Sequence, residues 1–113
     1  MIPYARHLID EEDIDAVVGV LRSDWLTTGP MVEAFEEEVA AFVGARHAVA
    51  VSSGTAALHT AMYAAAVGPG SEVLLPPMTF AATANAVVFQ EGIPIFTDVD
   101  SDRLLVDPAN IED

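Results

Sequence analysis

The sequence contains no lysine. Its four basic residues are Arg6, Arg22, Arg46 and Arg103, against 18 acidic residues, for a formal net charge of −14 over 113 residues. A surface this acidic repels nucleic acid and anionic lipid, which argues against both as partners. Any anionic ligand must be held locally, by backbone amides or by one of few arginines. Cysteine is also absent, which excludes disulfides and thiolate metal sites and fits a cytoplasmic protein. No apolar run approaches the ~20 residues that span a bilayer, so no membrane partner is expected. The start, Met1 to Arg6, has no apolar stretch behind a basic segment of the kind a secretion signal carries. Metal chemistry has no support either. His7, His47 and His59 lack ligand spacing, and Asp98, Asp100 and Asp102 lack the glycine and distal glutamate of a calcium loop. No Ser-His-Asp arrangement can be argued.

What is present suits a folded core: 52% of the residues are hydrophobic. Much of the acid lies in helical stretches, such as Glu33, Glu36, Glu37 and Glu38, and reads as a solvated helix face. A saline cytoplasm would also favour this composition, in which case stability should depend on salt.

The pattern opens with two helices. Asp10 caps the first, where Ile14, Val17, Val18 and Leu21, continued by Trp25, form an apolar face. The loop Leu26-Thr27-Thr28-Gly29 leads to Pro30, well placed as the first residue of a second helix. Val32, Phe35, Val39, Phe42 and Val43 form its expected buried stripe, and Gly44 ends it. His47 to Val51 then reads as a buried strand, Ala56 to about Val67 as a helix, and Glu72 to Leu75 as a strand stopped by Pro76-Pro77. Thr79 to about Gln90 reads as a helix and Ile93 to about Val99 as a third strand. The implied fold class is α/β, with N-terminal helices followed by alternating strand-helix units of a mainly parallel sheet. Asp107-Pro108-Ala109-Asn110 looks like a cap and a helix start. Three strands are few for a covered parallel sheet, so the chain reads as cut off at its C-terminus.

Two strand-to-helix turns carry the chemistry. In Val51-Ser52-Ser53-Gly54-Thr55-Ala56 a buried strand delivers small polar residues to a helix start. The unpaired amides there and the helix dipole suit a phosphate, and the Thr55 hydroxyl adds a donor. The alternative is an ordinary junction capped by Ser53 or Gly54. The turn is neither a Walker loop nor a dinucleotide fingerprint, lacking the Gly-Lys pair of one and the further glycines of the other. In Pro77-Met78-Thr79-Phe80, the aromatic ring falls near the carboxyl end of a strand, where open parallel sheets bind ligands. It is placed to lie against a planar cofactor or, alternatively, to pack in the core. A third feature, Thr27-Thr28-Gly29, offers hydroxyls to a polar substrate or serves as a plain linker.

Taken in order, six segments resemble the DegT-type nucleotide-sugar aminotransferases, a branch of the fold-type I enzymes that use pyridoxal 5′-phosphate (PLP). They are Trp25 to Pro30, Phe35-Glu36, Val51 to His59, Val67 to Val73, Pro77 to Ala86 and Pro94 to Asp100. The resemblance implies that residues 1–113 are the N-terminal part of a PLP-dependent aminotransferase large domain. It implies that amides near Gly54, Thr55 and Ala56 hold the cofactor phosphate and that Phe80 stacks on its ring. Thr28 and Gly29 would line the sugar site, with Tyr4 approaching the nucleotide sugar. The implied reaction moves an amino group, commonly from glutamate, to a keto sugar on a nucleoside diphosphate. The implied assembly is a homodimer with shared active sites. In such enzymes the Schiff-base lysine lies downstream of these segments, so no catalytic residue is assigned here and the chain alone is expected to be inactive. Two alternatives stand beside this reading: a sugar dehydratase relative with histidine in place of the lysine, and a non-catalytic binding or assembly module that keeps the fold.

Overall fold

Asp10 opens the first helix by satisfying amides that no helical carbonyl can reach. Its carboxylate accepts from the N–H groups of Glu12 and Asp13 at 3.0 and 3.1 Å, and the Asp13 carboxylate accepts from Asp10 N–H at 3.1 Å. This reciprocal box precedes α1, Glu11–Leu21. Helix α2, Pro30–Val43, starts with proline where no amide bond is lost and stops at Gly44, whose φ is 69°. Ala45 N–H then closes on Ala40 O at 2.9 Å. These elements belong to the first of two compact units into which the chain divides after Ala50. The computed structural model describes residues 5–111.

The apolar stripes of α1 and α2 run as expected but are not buried. Ile14, Val17, Leu21 and Trp25 are exposed, as are Val32, Phe35, Phe42 and Val43, and among the described residues of this unit only Ala40 is a buried hydrophobic. An amphipathic helix needs an opposing surface. The two helices are not packed extensively on each other, so neither provides one.

The second unit has a core. Helix α3, Gly54–Ala64, precedes strand β1, Glu72–Leu75; helix α4, Ala82–Val88, then leads to strand β2, Ile93–Phe96. β1 and β2 pair in parallel, with Glu72 opposite Ile93 and Leu75 opposite Phe96. A parallel pair needs a crossover, and α4 supplies it. Leu75, Ala82, Ala86 and Val87 are buried where α4 meets the strands. α3 packs on the outer side of α4, with the His59 and Phe89 rings 5.4 Å apart. Alanine-rich helices allow this close layering, and Gly92 tightens it. A Cβ at Gly92 would come within 2.8 Å of Val67 Cγ1 and 3.0 Å of Val87 Cγ1.

Further sequence expectations need correction. His47 to Val51 is not in a strand, because no partner among the described residues forms a ladder with it. β2 ends at Phe96 and not near Val99, and Val99 instead makes an antiparallel bridge with Val106. The helix expected from Thr79 begins only at Ala82, after a turn that the prolines precede. At the C-terminal end, Asp107 does cap a turn, Pro108–Asn110, by accepting from Ala109 N–H at 2.9 Å, but the turn is 3₁₀.

Candidate functional site

The expected phosphate turn lies at the head of α3. Ser53 has extended backbone (φ −165°, ψ 162°) and its hydroxyl accepts from Ala56 N–H at 3.2 Å. Ala57 N–H is taken by Ser53 O at 3.0 Å. Among the described residues no acceptor meets the N–H groups of Gly54 and Thr55. Of the three amides expected to hold a phosphate, those of Gly54 and Thr55 have no acceptor among the described residues, and that of Ala56 is engaged by the cap.

Gly54 is informative for a different reason. Its φ is not in the left-handed region, so its backbone does not demand glycine. A Cβ there would meet nothing within 4 Å, so no neighbouring atom demands it either. Position 54 therefore leaves room for another group to approach the backbone, as Gly19 and Gly68 also do. Two free amides at the positive end of an 11-residue helix, with open space above them, fit a phosphate group.

Phe80 lies in the same unit, in the turn between β1 and α4, and is 77% exposed. Core packing, the alternative reading, does not hold within this chain. Thr79 N–H donates to Pro77 O at 3.0 Å and Thr83 N–H to Phe80 O at 3.0 Å. The Thr79 and Thr83 hydroxyls share a 3.0 Å hydrogen bond across the turn, a pairing missed in the sequence, where both threonines were expected inside one helix.

Thr28 and Gly29 belong to the other unit. Thr28 has φ 46°, a left-handed conformation that is uncommon for a β-branched residue and is found where surrounding structure imposes it. Gly29 caps α2, and a Cβ there would fall 2.7 Å from Trp25 Cβ. The loop is thus shaped by its own packing. Tyr4 lies outside the described residues.

A second missed residue is Glu36. It reads in the sequence as part of a solvated acidic face, yet it is half-buried, and its carboxylate accepts from Ala50 N–H at 2.7 Å. It thus ties α2 to the segment that ends the first unit. A concavity in the second unit, lined by Glu72, Leu74, Ile95, Thr97 and Asn110 among others, includes neither Gly54 nor Phe80. Among the described residues no group of three or more potential ligands could hold a metal ion, and no helix is long and apolar enough to cross a membrane.

Residues 7–113 match the model of the DegT/DnrJ/EryC1/StrS aminotransferase family. The spore coat polysaccharide biosynthesis protein SpsC of Bacillus subtilis is 49% identical over 98% of the chain, which covers 28% of that protein. A UDP-4-amino-4-deoxy-L-arabinose–oxoglutarate aminotransferase of Shewanella sediminis is 46% identical over 98% of the chain and 29% of its own length. A candidate sugar aminotransferase of Streptococcus pneumoniae, solved in its PLP form, superposes with a TM-score of 0.86 at 34% identity, over 94% of this chain and 27% of that one. The chain thus spans less than a third of the length of the relatives it matches. Its helices and parallel strands reproduce the corresponding part of a fold-type I aminotransferase structure.

Proposed function

The chain belongs to the DegT/DnrJ/EryC1/StrS aminotransferase family, and from that premise we propose that it is the N-terminal part of a PLP-dependent enzyme moving an amino group from glutamate to a nucleotide-linked keto sugar. The observation that carries this reading is the head of α3. Gly54 and Thr55 present two amides without acceptors among the described residues, at a glycine the chain itself does not require.

Bound there, PLP supplies the electron sink that amine transfer needs. The chain's own residues bind and orient. The Gly54 and Thr55 amides take phosphate oxygens, and the Ser53 cap holds the helix end rigid beneath them. Phe80 offers its ring to one face of the cofactor. Thr28 and Gly29 meet the sugar. Nothing in these residues moves a proton at the reacting carbon. The 113 residues contain no lysine, so the covalent anchor is not among them and the chain alone is inactive. The acidic surface makes local amides the main source of anion affinity. In the working enzyme we expect a homodimer in the cytoplasm.

The test uses pyridoxamine 5′-phosphate, which binds without a covalent bond, and pyridoxamine, which lacks the phosphate. In the complete gene product, Gly54→Val should weaken the phosphorylated ligand by about tenfold or more, because two charge-assisted bonds are blocked. Affinity for pyridoxamine should not change. Equal binding of the phosphorylated ligand by variant and wild type would sink the assignment. The 113-residue chain by itself should keep no PLP absorbance after dialysis; a band that survives dialysis and vanishes with borohydride would refute its inactivity.

A further inference from the structure

Phe80 is 77% exposed, and among the described residues no other ring packs against it. Among the described residues little side-chain packing restrains the ring, so the backbone of its turn takes a larger part in setting where it points. That turn is poor in backbone hydrogen bonds. Pro76 and Pro77 have no N–H to give, and Ala81, the residue before α4, provides no side-chain cap. What remains is Thr79 N–H to Pro77 O, Thr83 N–H to Phe80 O, both 3.0 Å, and the hydroxyl bond between the exposed Thr79 and the half-buried Thr83, also 3.0 Å. The two hydroxyls lie on either side of Phe80 in the chain, and their bond joins the end of the turn to the first helical residues. Both side chains are β-branched and have few rotamers, so the bond restrains the backbone between them.

We propose that the Thr79–Thr83 hydroxyl pair is a positioning device that closes this turn and holds Phe80 at the angle needed to lie against the cofactor ring. The proposal rests on the reading of Phe80 as the stacking residue. Neither threonine touches the cofactor; both act through Phe80. Removing one hydroxyl at constant shape loosens the ring's placement and leaves the amide cup at Gly54 and Thr55 as it was.

The ligands that separate phosphate from ring also test this. In the complete gene product, Thr83→Val should weaken pyridoxamine 5′-phosphate and pyridoxamine by the same factor, about threefold to tenfold. It should also reduce the circular dichroism induced in the bound ligand. Thr83→Ser, which keeps the hydroxyl, should restore both. Thr79→Val, at the more exposed partner, repeats the measurement where Thr83→Val does not fold. A loss confined to the phosphorylated ligand overturns the proposal, as does a lowered melting temperature with affinities and dichroism unchanged. Phe80→Ala separates the two layers. If it weakens pyridoxamine while Thr83→Val does not, the hydroxyl pair has no positioning role although the stacking reading stands. If Phe80→Ala changes nothing, the stacking reading fails and this proposal fails with it.

Discussion

Beside the second unit, the first is nearly coreless. Both are apolar in sequence and both contain well-formed helices. Yet the βαβ unit buries Leu75, Ala82, Ala86 and Val87, whereas the unit of α1 and α2 buries Ala40 and leaves Trp25, Phe35 and Phe42 exposed. The difference lies in pairing. Strands β1 and β2 pair with each other along one edge, and α4 packs on both, so the sequence between Glu72 and Phe96 brings its own opposing surface. α1 is opened by the Asp10 cap and α2 is bounded by Pro30 and Gly44, but among the described residues of the unit little covers their stripes. Helix ends are local problems with local solutions; burial is not.

The largest expected effect tests that contrast directly. Val87 is 1% exposed and Phe42 is 92% exposed. In urea unfolding of the 113-residue chain, Val87→Ala should cost about 2–3 kcal/mol through lost burial and a cavity. Phe42→Ala, which removes far more apolar volume, should change stability by no more than about 0.5 kcal/mol. A larger cost at Phe42 than at Val87 would mean that α2 is covered and would erase the distinction between the units. The same pair made in the complete gene product shows whether further chain covers α2; a cost at Phe42 near 3 kcal/mol means that it does.

The contrast also explains which parts of the fold could be read from the sequence. Asp10, Pro30 and Gly44 signalled helix ends, because capping depends on a few neighbouring residues. β1 was legible from Glu72 to Leu75, since prolines bound it. His47 to Val51 has the same apolar character and is not a strand, because a strand is defined by its partner and that partner is not in the pattern. The stripes of α1 and α2 were legible as stripes, but burial depends on what lies opposite. At the candidate site, Gly54 and Thr55 were readable as a turn between elements. The Ser53 bond to the Ala56 amide was foreseen only as one of two possible caps. Glu36 was read as one acid among four on a solvated face, since nothing in its spacing marks a bond to Ala50, 14 residues away. The Thr79–Thr83 pair was hidden because the helix appeared to start before it.

Glycine sharpens the comparison at an intermediate size. Gly92 in the second unit is required by packing: a Cβ would lie 2.8 Å from Val67 Cγ1 and 3.3 Å from Val87 O. Gly44 in the first unit is required by its backbone, with φ 69° and open space around its Cβ position. Gly92→Ala should therefore cost about 1–3 kcal/mol by overpacking. Gly44→Ala should cost about 1 kcal/mol by left-handed strain. Gly44→Asn, which tolerates that conformation, should recover much of the Gly44 loss, while Gly92→Ser should recover nothing. Differential recovery in thermal melts checks the assignment; recovery at both positions, or at neither, would show that the two glycines serve one role.

The smallest effect concerns charge. The chain carries 18 acidic and four basic residues, and α2 presents Glu33, Glu36, Glu37 and Glu38 on a helix whose apolar face is open. With little burial to hold this unit, surface repulsion is a larger share of its balance than in the βαβ unit. Glu37→Lys places a lysine four residues after Glu33, in the favourable orientation for a helical pair. It should stabilise α2 by about 0.2–0.5 kcal/mol at low salt. Molar salt screens exposed charges, so it should raise the melting temperature of the unchanged chain and abolish the gain from Glu37→Lys. The two shifts have one cause and must appear together. A melting temperature that stays constant from low to molar salt would show that the acidic residues do not strain the fold, and a gain from Glu37→Lys that persists in molar salt would assign it to helix propensity and not to charge.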